Sequence, residues 1–342
     1  MSKGAKKDSW SQGFALTAVL AAIMLLLARE GQGMAEYGSG SWQVLRIYEG
    51  LTCWSIPALF MVWGMQALEE GKPGLNNTIK GLVLPCISKI LFWGTLYATV
   101  QSLLGGKGVS VSGVLEAMRV AACGGTYFHL WVLYPLLGLC LLQPMIHRFT
   151  ATADRNEVFY FLMLCMVFAS LLPVWEEFHP DGILVKLLQR MQVHMVLGYV
   201  GYYIAGWYLC RYAVGRFPEF LIYGLGIVGM VFTLLGHEIL GGDRDLWYSY
   251  TAPGVALTAV AVCSVFRYVL GAGARYVLGK HALGVYLFHQ IWVLALQWLG
   301  YSVLTWSPVV SVPVLAAGVF LMSMPFVWLL HRIPGAGRGI IA

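Results

Sequence analysis

Apolar residues along this chain gather into runs divided by short polar segments. A hydrocarbon core of about 30 Å takes roughly 20 apolar residues to cross. Runs of that order can be read at 11–28, 45–68, 81–104, 126–145, 157–174, 193–210, 218–237, 250–270, 282–300 and 309–330. The pattern predicts an all-α, polytopic membrane protein with about ten transmembrane helices. No internal repeat, low-complexity tract or long polar linker divides it, so residues 1–342 read as a single integral-membrane domain without a soluble catalytic unit.

Composition agrees with the pattern. Of 342 residues 59% are hydrophobic and 11% charged, with a mean hydropathy of +0.72, against about 25% charged in an ordinary soluble domain. Charge adds a direction, because Lys and Arg accumulate on the cytoplasmic side of membrane proteins. With the N-terminus inside, fourteen of the 22 basic residues fall on the inner face and seven on the outer, with Lys89 well within a run. Ten of the 16 acidic residues fall outside. Both termini are therefore expected to be cytoplasmic. The net charge of +6 belongs to the inner face, where anionic lipid headgroups attract it, and does not indicate nucleic-acid binding; membrane lipids are the expected surroundings. Lys3, Lys6 and Lys7 before an apolar run also fit a secretory signal peptide, but the charge pattern works with that run retained.

Seven cysteines show no paired spacing and read as apolar packing residues, not as disulfides or metal ligands. Gly224, Gly226 and Gly229 spell a dinucleotide fingerprint inside an apolar run, where close helix packing explains them. Asn76 and Thr78 form a sequon that the charge count places inside. The longer outer segments, 105–126 among them, are expected to be solvated loops.

Ionisable groups in lipid are rare because the charged form loses hydration, so each is a functional candidate. His129 lies in Tyr127 to Met145, with Trp131 and Tyr134 three apart on one helix face. His289 follows Tyr286 by three and is flanked by Gln290, giving a small polar face in an apolar helix. Glu49, Tyr199, Tyr202, His194 and His237 complete the polar set, and Lys89 either snorkels or meets an anionic cofactor. Counted from the ends of their runs at 1.5 Å per residue, His129 and His289 are expected to lie roughly 16 Å apart along the membrane normal. No zinc site, phosphate loop, nucleophile elbow or carboxylate cluster appears. What remains is general acid/base work by histidine.

The stretch His129 to Pro144, HLWVLYPLLGLCLLQP, resembles the signature of the acyltransferase-3 family of integral-membrane O-acyltransferases. Ser55 to Met65, Leu197 to Leu209 and His281 to Val293 resemble its second helix, tyrosine-rich helix and late tyrosine–histidine segment. The resemblance implies ten core helices and transfer of an acyl group, often acetyl, from acetyl-CoA or another acyl-CoA to a hydroxyl of a surface polysaccharide or lipid-linked sugar, at a bacterial inner membrane. His129 and His289 are then the candidate catalytic residues, and Trp131, Tyr134, Lys89, Tyr199, Tyr286 and Gln290 candidates for binding substrate or donor, with no metal. The family's first helix carries an arginine followed about ten residues later by a histidine, and Gln12 to Leu27 here contains neither. Two readings follow. Either His129 or His289 supplies the base from another helix, or the chain is a non-catalytic or transporter-like relative that binds or passes a glycan, lipid or acyl donor.

Overall fold

The computed structural model describes residues 3–68, 74–106, 108, 110–123, 127–182, 185, 187, 194–270 and 281–332, with side chains from Trp10 onward and, in the 194–211 helix, from Gly198 onward. Lys72, Lys107, Lys186, Arg190, Arg275, Lys280 and Arg338 lie outside these residues, as do the side chains of Lys3, Lys6, Lys7 and His194. Among the described residues there is no strand.

The helices are α1 (Lys3–Met34), α2 (Gly40–Thr52), α3 (Ser55–Ala67), α4 (Leu75–Leu104), α5 (Val111–Ala122), α6 (Leu133–Thr152), α7 (Arg155–Phe178), α8 (His194–Arg211), α9 (Arg216–Leu240), α10 (Arg244–Tyr248), α11 (Pro253–Val265), α12 (Ala282–Trp298) and α13 (Pro308–Leu330). Seven stretches are long and apolar enough to cross a membrane: 10–34 of α1, α4, 128–152, α7, α9, 244–270 and α13. The other three expected spans are helical but fall short of that measure for identifiable reasons. The 45–68 run is broken between α2 and α3 at Cys53 and Trp54, α8 carries His194, Arg211 and several tyrosines and glycines that lower its hydropathy, and α12 has only 17 residues.

Burial sorts the helices into a centre and a rim. Phe14, Ala18, Val19, Ala22, Ile23, Leu25 and Ala28 of α1 are inaccessible, and α1 packs against α2, α3, α12 and α13. At the rim, α9 and α13 expose Phe217, Phe220, Ile227, Leu321 and Leu329, the surface that a bilayer covers. Length and apolar composition thus make this a multi-pass membrane protein.

Glycine lets two helix pairs touch. A Cβ on Gly64 of α3 would stand 1.8 Å from the Tyr203 carbonyl oxygen of α8, and one on Gly206 would stand 2.1 Å from that of Met61. The α9–α11 crossing repeats this, since a Cβ on Gly229 would meet the Gly254 carbonyl oxygen at 2.6 Å and one on Gly226 would meet the Ala261 Cβ at 2.2 Å. Gly226 and Gly229 therefore serve packing, as their place in an apolar run implied, whereas Gly224 faces open space. Small residues allow this because nothing beyond the backbone separates the axes.

Two local features shape the site. α1 continues past the end of its apolar run through Arg29 and Glu30 to Met34, so the first helix does carry ionisable groups where it meets the bundle. Phe128–Val132 forms a 3₁₀ turn before α6 begins at Leu133. Pro135 accounts for the change, because it has no N–H to give the Trp131 carbonyl and its ring crowds that oxygen. The Leu133 N–H takes up the Leu130 carbonyl in i→i+3 bonding and also reaches that of Trp131.

Candidate functional site

The 3₁₀ turn puts His129 inside the bundle, not at its rim. The His129 and His289 rings lie 5.1 Å apart, centroid to centroid, at 75°, and both side chains are 0% exposed. This overturns the separation of roughly 16 Å expected from span ends. The count assumed that the helix bearing His129 starts at the membrane surface. α4 instead runs seven residues, about 10 Å, beyond Tyr97, and the Tyr97 ring packs edge-on to His129 at 4.9 Å. The chain therefore dips below the end of α4 before turning into α6, and meets α12 at the level of His289.

Three tyrosines fix this meeting point. Tyr286 donates its hydroxyl to the His129 carbonyl at 2.7 Å, and Tyr97 donates to the Leu287 carbonyl at 2.5 Å. Tyr127 packs on both the Tyr97 and His129 rings, and its hydroxyl accepts from Gln290 Nε2 at 3.4 Å. α4, the 3₁₀ turn and α12 are thereby joined through side chains in the buried interior.

Hydrogen bonding sets the state of His289. Its Nδ1 stands 2.6 Å from the Tyr286 carbonyl oxygen, and a carbonyl only accepts, so Nδ1 carries the proton and Nε2 the lone pair. Among the described residues, Nε2 of His289 has no hydrogen-bond partner, and the ring nitrogens of His129, which face the Leu287 backbone, make no bond of full hydrogen-bond geometry. Buried polar atoms are ordinarily satisfied. Ring nitrogens without full hydrogen bonds within one side-chain pair mark a place that a polar group would complete.

A cavity of 560 Å³ adjoins the pair, lined by Arg29 and Glu30 of α1, Gly94, Ala98 and Gln101 of α4, Ala117, Val120 and Ala121 of α5, and Tyr127 and Phe128. Tyr127 stands between: it lines the cavity and packs on His129. Glu30 accepts from Gln297 Nε2 of α12 at 2.7 Å. Arg29 donates through Nε to Glu49 at 2.6 Å, and through Nη1 to the Tyr250 hydroxyl. Gln32 donates to the second Glu49 oxygen at 2.8 Å. Both oxygens of Glu49 are thus engaged.

The sequence-derived candidates fall into two clusters and two separate residues, Tyr134 and Lys89. His129, Tyr286, His289 and Gln290 come together with Tyr97 and Tyr127. Trp131 and Tyr199 belong to an aromatic group reached through Arg29: Trp131 stacks on Tyr250 at 5.1 Å and 13°, lies 5.9 Å from Tyr199, and Tyr199 stacks on Phe60 at 4.6 Å. Tyr134 donates to the Ala121 carbonyl of α5 at 2.7 Å. Lys89 lies apart, eight residues before Tyr97 on α4 and buried, facing the Cys86 and Cys140 thiols.

Residues that sequence reasoning passed over are Arg29, Glu30, Tyr97, Gln101 and Tyr250. Arg29 and Glu30 end an apolar run and look like outer-face charges. Tyr97 and Gln101 carry no ionisable mark, and Tyr250 meets the site only through the fold.

No curated protein and no solved structure matches the chain. The family model described as an acyltransferase domain, of the acyltransferase-3 type, matches residues 9–332. That interval takes in every site residue, both paired histidines and all but the first turns of the central α1, and the chain belongs to the acyltransferase-3 family.

Proposed function

We propose that the protein moves an acyl group, acetyl in the simplest case, from an acyl-CoA thioester to a hydroxyl of a surface polysaccharide or lipid-linked sugar at a bacterial inner membrane. The observation that carries this reading is the His289 tautomer: Nδ1 is committed to the Tyr286 carbonyl, while the Nε2 lone pair is buried beside His129 without a donor. Such a nitrogen is suited to accept a hydroxyl proton.

In the step itself the acceptor oxygen bonds to the thioester carbonyl carbon as its proton passes to His289 Nε2. The C–S bond then breaks, and the imidazolium returns the proton to the departing thiolate. A positioned base contributes about 10² to 10⁴ in rate. His129, ring to ring with His289, offers a second nitrogen to hold the acceptor or the carbonyl. Acceptor approach is through the cavity, and because Tyr127 lies between cavity and histidines, its ring must swing aside. Lys89 lies about 12 Å further along α4 as a buried cation for the donor.

The test is release of free CoA by the protein in nanodiscs, given acetyl-CoA and a panel of glycan and lipid-linked sugar acceptors. Release that His289→Ala suppresses about 100-fold or more is the expected result; release untouched by both His289→Ala and His129→Ala overturns the assignment. A second reading draws on the complete burial of both rings: a relative that binds an acceptor or donor without transfer. Saturable acyl-CoA or glycan binding with no CoA release from any acceptor favours it.

A further inference from the structure

Residues 105–126 were expected as a solvated loop, yet α5 forms there and its side chains point in three directions. At 3.6 residues per turn, Val111, Leu115 and Met118 fall within about 40° of one line, and they are 79%, 61% and 40% exposed. Ser112, Glu116 and Arg119 cluster about 100° away, also exposed, with Arg119 donating to Glu116 at 2.6 Å. The third direction carries Ala117, Val120 and Ala121, which wall the cavity.

A helix in water has no reason to expose a stripe of large apolar side chains, and a lipid-spanning one has no place for an exposed ion pair. A helix lying in the membrane interface satisfies both. The apolar surface is continuous with that of its neighbour, for α5 packs on α4, whose last residues, Leu103 and Leu104, are 55% and 42% exposed. Phe128, on the cavity wall, is itself 43% exposed. The cavity beneath is two-sided: Arg29, Glu30 and Gln101 are polar, and small apolar residues of α4 and α5 face them.

We propose that α5 lies in the bilayer interface with Val111, Leu115 and Met118 toward lipid, and that the cavity it walls takes an amphipathic ligand from the bilayer. The ligand's polar head meets Arg29, Glu30 and Gln101, and its apolar part leaves alongside α5. Identifying this ligand with the acyl acceptor rests on the function proposed above; its binding does not, and neither measurement below depends on turnover.

Full-length protein in phosphatidylcholine vesicles, carrying Cys123→Ser, is spin-labelled at Leu115→Cys, Met118→Cys, Ser112→Cys or Glu116→Cys. Labels at 115 and 118 should collide with oxygen several-fold more than with a water-soluble nickel chelate, and labels at 112 and 116 the reverse. A trace of dodecyl glucoside bearing a diazirine in its chain should then photolabel α5 and the 94–104 stretch several-fold above lipid-exposed α9. Ala98→Trp, which fills the cavity, should bring that labelling down to the α9 level and leave the collision pattern intact. Equal accessibility at all four positions overturns the membrane placement. Labelling uniform over the lipid-facing helices, or unchanged by Ala98→Trp, overturns the ligand site.

Discussion

His289 takes its chemical character from a backbone carbonyl three residues away. An asparagine there keeps an N–H donor near the Nδ1 position and so preserves the bond to the Tyr286 carbonyl, but has nothing in place of the Nε2 lone pair. His289→Asn is expected to lower CoA release by about 10² to 10⁴ with a thermal unfolding midpoint in detergent near that of the native chain. A parallel fall in both would make His289 a packing residue. Tyr286→Phe has the opposite signature: it strands the buried His129 carbonyl, which the Tyr286 hydroxyl now satisfies at 2.7 Å, at a cost of about 1–3 kcal/mol. Its effect should appear first in the unfolding midpoint. At this scale the sequence marks which residues are candidates, because an imidazole in an apolar run is conspicuous. It does not show that His129 and His289 meet, since depth counted from span ends presumes that every span starts at the surface. Pro135, whose missing N–H displaces the start of α6 to Leu133, is the residue that breaks the presumption.

Helix crossings without intervening side chains are the most sequence-sensitive elements of the bundle. Gly64 and Gly206 are reciprocal: each would drive a Cβ into a carbonyl of the other's helix, at 1.8 and 2.1 Å. No side-chain rotation relieves a clash with backbone, so α3 and α8 must part. Gly64→Ala and Gly206→Ala should each destabilise by at least about 1–3 kcal/mol, read as a lowered unfolding midpoint, whereas Gly224→Ala, which faces open space, should leave it unchanged. Runs of apolar residues make these helices legible but not their partners, because a run that is apolar all round carries no stripe to say which side is inward. α5 is the converse. Its period is written plainly at 111, 115 and 118, but a short amphipathic helix between two spans is hidden among polar neighbours when the chain is read for length alone.

Placing the whole molecule in a membrane turns the cavity into a question of sides. The Arg29 and Glu30 end of α1, the Leu104 end of α4, α5 and the cavity share one end of the bundle. The excess of inner-face Lys and Arg under the positive-inside rule assigns that end to the outside if both termini are cytoplasmic. One native residue reports on this directly. Cys123 follows α5 and is the one exposed cysteine of the seven. In intact cells a membrane-impermeant maleimide should therefore label the native chain, and Cys123→Ser should abolish the signal without altering CoA release, as Cys123 is exposed and lies outside the cavity lining. Labelling that appears only after the membrane is permeabilised would put α5 and the cavity on the cytoplasmic side. The acceptor would then be modified before export, and the acyl-CoA donor and acceptor would reach the histidine pair from the same compartment. Labelling from outside requires instead that the acyl group cross the membrane within the bundle, between Lys89 and the histidines about 12 Å further along α4.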